Sequence, residues 1–100
     1  MTYSVRFRVP MPIAAYDAMH AVVKEIAGGD NGMLAHLAWE TADGFEILEA
    51  WQSRDAYLRF VADVWPQVVQ RLGMGETPAP EGEEFELRGL VLPGTTPVFV

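Results

Sequence analysis

From Tyr3 to Val9 the chain alternates. Tyr3, Val5, Phe7 and Val9 are large and apolar, and Ser4, Arg6 and Arg8 are polar between them. A period of two belongs to a half-buried strand. Beyond Pro12 the period lengthens: Ile13, Tyr16, Met19, Val23 and Ile26 recur three and four apart, the spacing of one helical face. Pro12 suits the first turn of that helix, where its missing N–H has no partner to lose, and Gly28-Gly29 is the expected stop. Met33 to Glu40 and Phe45 to Trp51 read as two more strands. Within GFEILEAWQSRDAYLRF, residues 44–60, the rhythm changes again. Phe45, Ile47 and Trp51 fall at alternate positions, whereas Tyr57, Phe60, Val61 and Val64 keep helical spacing. Ser53 is a natural N-cap and Asp55 stands at the positive end of the second helix. That helix should reach about Leu72, with Gly73 as its stop, and Pro66 inside it predicts a kink or break near Val64–Trp65. Gly73 to Glu83 reads as a loop, Phe85 to Leu92 as a fourth strand, and PGTTPVFV as a tail.

The order β-α-β-β-α-β predicts an α+β fold of the ferredoxin-like class, an antiparallel four-stranded sheet with both helices on one face. The chain has 100 residues, enough for one core and not for two. Residues 1–92 are therefore expected to form one domain and 93–100 a tail. Two helices cover only one face of such a sheet, yet the middle strands are apolar on both. Met33, Leu37 and Trp39 share one parity and Leu34 and Ala38 the other; Phe45, Ile47 and Trp51 oppose Leu48 and Ala50. An uncovered face should be polar, and one this apolar would be a large exposed patch. The pattern predicts a homodimer, face to face about a two-fold axis, with the PVFV end placed to reach the partner.

Asp43-Gly44 is a strong two-residue hairpin signal. With those two residues as the loop, Ala42 pairs with Phe45, Glu40 with Ile47, Ala38 with Glu49 and His36 with Trp51. One sheet face then collects His36, Glu49 and Trp51, an arrangement that a one-residue slip would undo. His36 brings a proton that moves near neutral pH. Glu49 is placed to orient it or to bind substrate, and Trp51 offers a flat surface to an aromatic ligand. On the helix-covered face, Tyr16 and His20 of the first helix and Tyr57, Phe60 and Trp65 of the second would line the same space. Each residue also has a plain structural reading: His36 as a satisfied core histidine, His20 as a surface partner of Asp17, Trp51 and Trp65 as core.

Composition narrows the field. Half the residues are apolar and 21% are charged, as in a globular chain, and the net charge of −7 opposes nucleic acid and anionic membranes alike. No apolar stretch approaches the ~18 residues of a membrane span. No apolar segment of a secretory signal follows Arg6 and Arg8. The chain has no cysteine, so disulfides and thiolate chemistry are excluded and a cytoplasmic location is permitted. Two histidines without further clustered ligands make no metal site. GGDNG, residues 28–32, follows a helix and precedes a strand, the reverse of a phosphate loop. No G-x-S-x-G elbow is present.

The two βαβ units and the stretch EAWQSRDAYLRF, residues 49–60, resemble the dimeric α+β barrel superfamily in its antibiotic-biosynthesis-monooxygenase-like branch. The likeness spans roughly residues 3–92, through the order of elements more than through identities. YDAMHAVV and HLAWETADGFEILEAWQSRDAY are similar to small bacterial proteins of the same superfamily. The resemblance implies a homodimer and a small ligand held between helices and sheet. It also implies oxidation of electron-rich aromatic, polyketide-type substrates by O2 without a cofactor; relatives degrade haem, cyclise polyketides or isomerise lactones. Trp51 matches a Trp of quinone-forming members. Their Asn four residues earlier is Ile47 here, and the iron-binding His of haem-degrading relatives is Phe60.

The expected activity is thus that of a cofactor-independent enzyme on a small apolar or aromatic molecule. His36 is the proton-transfer group, Trp51 the stacking wall and Tyr16 the hydrogen-bonding partner near the substrate. A cyclase or isomerase, a non-catalytic ligand-binding dimer and a purely structural dimer are the alternatives. A space of roughly 300 Å³ or more beside His36 would favour a ligand site; filled packing would favour the structural dimer.

Overall fold

Six elements follow one another in the computed structural model, which describes residues 2–27, 31–75 and 81–91. They are β1 (Thr2–Val9), α1 (Ile13–Ile26), β2 (Met33–Thr41), β3 (Gly44–Trp51), α2 (Arg54–Arg71) and β4 (Glu83–Leu87). The sheet order is β2-β3-β1-β4, antiparallel throughout, which is the ferredoxin-like arrangement. Val5, Phe7, Trp51 and Ala56 form one buried cluster between sheet and α2, and Val22, Val64 and Val68 a second between the helices.

Several boundaries differ from expectation for identifiable reasons. Pro12 stands just outside α1 rather than in its first turn; its backbone is extended, and its carbonyl accepts the Ala15 N–H at 2.9 Å. The Gly28-Gly29 stop lies outside the described residues, and α1 closes at Ala27, whose N–H bonds to the Val23 carbonyl. Ser53 caps α2 as expected, its Oγ accepting the Ala56 N–H at 3.1 Å. The helix then runs unbroken through Pro66. Proline leaves the carbonyl four residues back without its helical donor; here that residue, Ala62, is exposed like Pro66 itself, so water is at hand for it. Gly73, with φ 64°, follows the helix in the left-handed conformation that favours glycine.

The fourth strand starts two residues before Phe85 and stops at Leu87 instead of Leu92. It ladders on β1 alone, and Leu87 pairs with Thr2, where β1 begins, so no partner strand continues beyond it. Leu92 and the tail lie outside the described residues.

The hairpin turns one residue early, on Ala42-Asp43, with Thr41 opposite Gly44. Gly44 is a strand residue, buried against β1: a Cβ there would overlap the Val9 carbonyl oxygen and stand 2.8 Å from the Met11 nitrogen. Close approach of backbones, not turn geometry, requires this glycine. The register accordingly moves by two. Glu40 pairs with Phe45, Ala38 with Ile47 and His36 with Glu49. A two-residue shift returns every side chain to the same face. An irregularity between Met33 and Ala35 then changes the parity of β2, so that Met33 pairs with Trp51 on the helix side, away from Leu37 and Trp39.

The other face of the sheet carries Leu37, Trp39 and Phe85, which are 52%, 39% and 38% exposed. Among them Arg6 donates to Glu46 from Nε at 2.9 Å and from Nη2 at 2.6 Å. The Arg6 guanidinium holds the Glu46 carboxyl below the usual carboxylate range. Among the described residues, no helix is long and apolar enough to cross a membrane.

Candidate functional site

Pairing of His36 with Glu49 sets two polar side chains on the helix-facing surface of an otherwise apolar sheet. Tyr16 and His20 lie one turn apart on α1 and meet them from above. Glu49 Oε2 is 2.9 Å from His36 Nδ1, and His36 Nε2 is 2.8 Å from the Tyr16 hydroxyl. That hydroxyl is 3.3 Å from His20 Nδ1. The other carboxylate oxygen, Oε1, accepts the Trp51 indole N–H at 3.3 Å. The Tyr16 and His20 rings stack with centroids 5.3 Å apart, and Tyr16 leans on Phe45 at 5.5 Å. Four groups are thus joined by three contacts, anchored at one end by a buried tryptophan.

This chain of groups borders a cavity of about 130 Å³ between sheet and helices. The space is smaller than the roughly 300 Å³ of a drug-sized site. It is close to the ~150 Å³ of an engineered apolar cavity that admits benzene. Tyr16, His20, His36 and Glu49 line it, as do Tyr57, Phe60 and Trp65 of α2. Trp51, expected on the wall, does not. It is 0% exposed and packs behind Tyr57 and Phe60, with ring centroids at 5.6 and 5.0 Å. At the end of β3, under the first turns of α2, its position is that of core, and its reach to the site is the single bond to Glu49.

Phe7, Phe45 and Met33 also line the cavity. The first two share the parity of the helix-facing strand residues, which was the available signal; Met33 faces the cavity only through the irregularity in β2. His20 does not adopt its expected surface pairing with Asp17. It is half-buried and turned to Tyr16, and its Nε2 is buried without a hydrogen-bond partner. Burial, then the neighbouring His36 and Lys24, lower the His20 pKa, against a smaller upward pull from Asp17. Burial, then Glu49 and Asp17, raise that of Tyr16. Burial, with Glu49 and Glu84 adding to it, pushes Tyr57 up to about 12. Both phenols therefore stay neutral across the physiological range. No group of three or more His, Asp or Glu suited to a metal occurs among the described residues.

No family model matches the chain, and no curated protein does. Solved structures do. NE2512 from Nitrosomonas europaea, a protein of unknown function, is similar with a TM-score of 0.60 and 18% identity over 94% of each chain. SnoaB, a cofactor-independent oxygenase from Streptomyces nogalater, gives 0.59 and 21% identity over 92% of this chain and 95% of its own. A candidate antibiotic biosynthesis monooxygenase from Deinococcus radiodurans gives 0.54 and 15% over 91% and 94%. The α+β sheet with its two helices is thus a fold that this chain shares with the Streptomyces nogalater oxygenase and the Deinococcus radiodurans protein.

Proposed function

We propose that this chain is a cofactor-independent enzyme of monooxygenase type, acting as a homodimer on a small aromatic molecule. The observation that carries the reading is the Glu49–His36–Tyr16–His20 series at the edge of an otherwise apolar cavity. Taking the proton from a phenol-like substrate enriches its ring in electrons, which is the condition for reaction with O2 in a dry pocket. His36 is the group that holds the proton, braced by Glu49. The cavity as it stands admits about one ring, so the ligand is smaller than the multi-ring molecules of polyketide type. The cofactor-independent oxygenase among the similar structures supports the class of reaction. The apolar face bearing Leu37, Trp39 and Phe85 supports the dimer.

The test supplies dihydroxybenzenes under air and follows O2 uptake and quinone formation above the enzyme-free rate. His36→Ala should abolish turnover and leave ligand affinity within a few fold; turnover that survives it refutes the assigned proton holder. Conversion without O2 uptake would indicate a cyclase or isomerase instead, and affinity without conversion a binding protein.

A further inference from the structure

The order of donors and acceptors along the four groups can be read from one end. A carboxylate only accepts, and an indole N–H only donates. Ionised Glu49 therefore accepts from Trp51 Nε1 and from His36 Nδ1–H. Neutral His36 then has a lone pair on Nε2, which accepts the Tyr16 hydroxyl proton. The Tyr16 oxygen, with its proton so engaged, accepts from His20 Nδ1–H. A neutral imidazole protonated on Nδ1 has a bare Nε2. That atom is the buried one left without a partner, on a residue that lines the cavity.

We infer that His20, not His36, meets the ligand: its Nε2 accepts the hydroxyl proton of a neutral single-ring phenol, and the series relays that proton to the His36–Glu49 pair. The inference rests on the proposed aromatic ligand for its substrate class, and on the hydrogen-bond geometry alone for its direction. The step balances. The phenol O–H bond breaks and its electron pair stays on oxygen as phenolate. The proton bonds to His20 Nε2, His20 releases its Nδ1 proton to the Tyr16 oxygen, and Tyr16 passes its own to His36 Nε2. His20 and Tyr16 end neutral, and the positive charge resides on His36, 2.9 Å from the Glu49 carboxylate.

The surroundings favour that resting place. Asp17 and Lys24 of its own helix act on His20 through charge, the His36 ring of β2 stacks on it at 5.7 Å, the Tyr16 hydroxyl bonds to it, Glu49 lies beyond His36 and Tyr57 lines the same cavity; burial and His36 together disfavour a charge on it. Relay through all three groups reverses both hydrogen bonds of Tyr16 and leaves His36 donating to Glu49, so His20 Nε2 finishes as a donor facing the phenolate it has made. A phenol is the matching ligand because it offers one hydroxyl proton and an apolar ring for Phe7, Phe45 and Phe60. An aniline or an aryl carboxylate would not supply the same neutral O–H.

4-Nitrophenol is the probe, since its neutral and anionic forms absorb at different wavelengths. At a pH where the free probe is neutral, the wild-type protein should bind it as the anion. Tyr16→Phe keeps the ring against Phe45 and cuts the relay; His20→Phe removes the accepting atom. Both should bind the neutral form, with the anionic fraction lowered at least about tenfold, one unit of effective pKa. An anion bound equally well by Tyr16→Phe, or a neutral probe bound by the wild type, overturns the relay. Failure of any single-ring phenol to bind overturns the ligand class instead. The direction of the series is then decided on the ligand-free protein by 15N NMR of labelled histidines. Nδ1–H on both His20 and His36 supports it, and Nε2–H on either at neutral pH refutes it.

Discussion

Glu49→Gln changes one atom and almost no volume, yet it should invert the polarity of the site. Trp51 Nε1–H donates only, so it selects the amide oxygen and leaves the amide NH2 facing His36 Nδ1. His36 must then accept at Nδ1 and carry its proton on Nε2. Tyr16 accepts from His36 and donates to His20 Nδ1, and His20 Nε2 becomes an N–H. The three contacts from residue 49 to His20 survive with their direction reversed, and that of Trp51 is kept as it was. A hydrogen bond to a charged group contributes about 1.5–3 kcal/mol and a neutral one about 0.5–1.5. The loss at the 2.9 Å contact is therefore about 1 kcal/mol. The Trp51 contact, at 3.3 Å, is already long and adds little. For a chain of this size about 1 kcal/mol lowers Tm by roughly 4–8 °C. The functional cost is far larger: enforcing the wrong histidine tautomer in a serine protease lowers kcat by about 10⁴, and at least ~10²-fold is expected here. Thermal melts by circular dichroism and 15N histidine NMR of the variant separate the two effects. Unchanged tautomers at His36 and His20, or a fall in Tm beyond ~20 °C, would refute the reasoning.

Stability should fall on acidification through about pH 6.5, the ordinary histidine value, because the lowered pKa of His20 makes the unfolded chain the better proton acceptor there. His20→Phe should flatten that part of a denaturation-versus-pH profile. Gly44→Ala forces a Cβ into the backbone of Val9 and Met11, and urea titration should show a loss of roughly 3 kcal/mol. Ser53→Ala removes the α2 cap and should cost about 1 kcal/mol in the same assay. Light scattering at micromolar concentration should report twice the 11.1 kDa of one chain, and Leu37→Glu with Trp39→Glu should return it to one; a wild-type protein that is already monomeric refutes the dimer.

The element order was legible because hydrophobic period is a local property, and Tyr3–Val9, Ile13–Ile26 and Phe45–Trp51 each keep one period over most of their length. The convergence of His36, Glu49, Tyr16 and His20 was half legible. Strand parity and helical spacing aimed them at one space, but nothing local distinguished an inward His20 from a partner of Asp17. That choice was made by Tyr16, whose hydroxyl stands between the two histidines. Trp51 was placed on the right face and at the wrong depth, because parity says which way a side chain points and not what lies over it. α2 descends on the end of β3 and buries the indole completely. Gly44 misled for a similar reason. Its neighbour across the sheet, Val9, lies 35 positions away in the chain, and the close approach exists only after folding. The position of Met33 depends on an irregularity that leaves no mark in composition.

The hairpin slip carries a lesson about how such a site tolerates change. Moving the bend by a single position displaced the pairing by two, and His36 still looked toward the same carboxylate and the same helix. Even displacements are silent for the chemistry because the pleat repeats every second residue; odd ones would send the imidazole to the far side among Leu37 and Trp39. Changes at the tip between Thr41 and Gly44 that keep this parity leave the facing of His36 unaltered. A lone insertion between His36 and that tip would have to be absorbed as a bulge, as happens below His36 at Met33–Ala35, or His36 would lose its contacts with Glu49 and Tyr16.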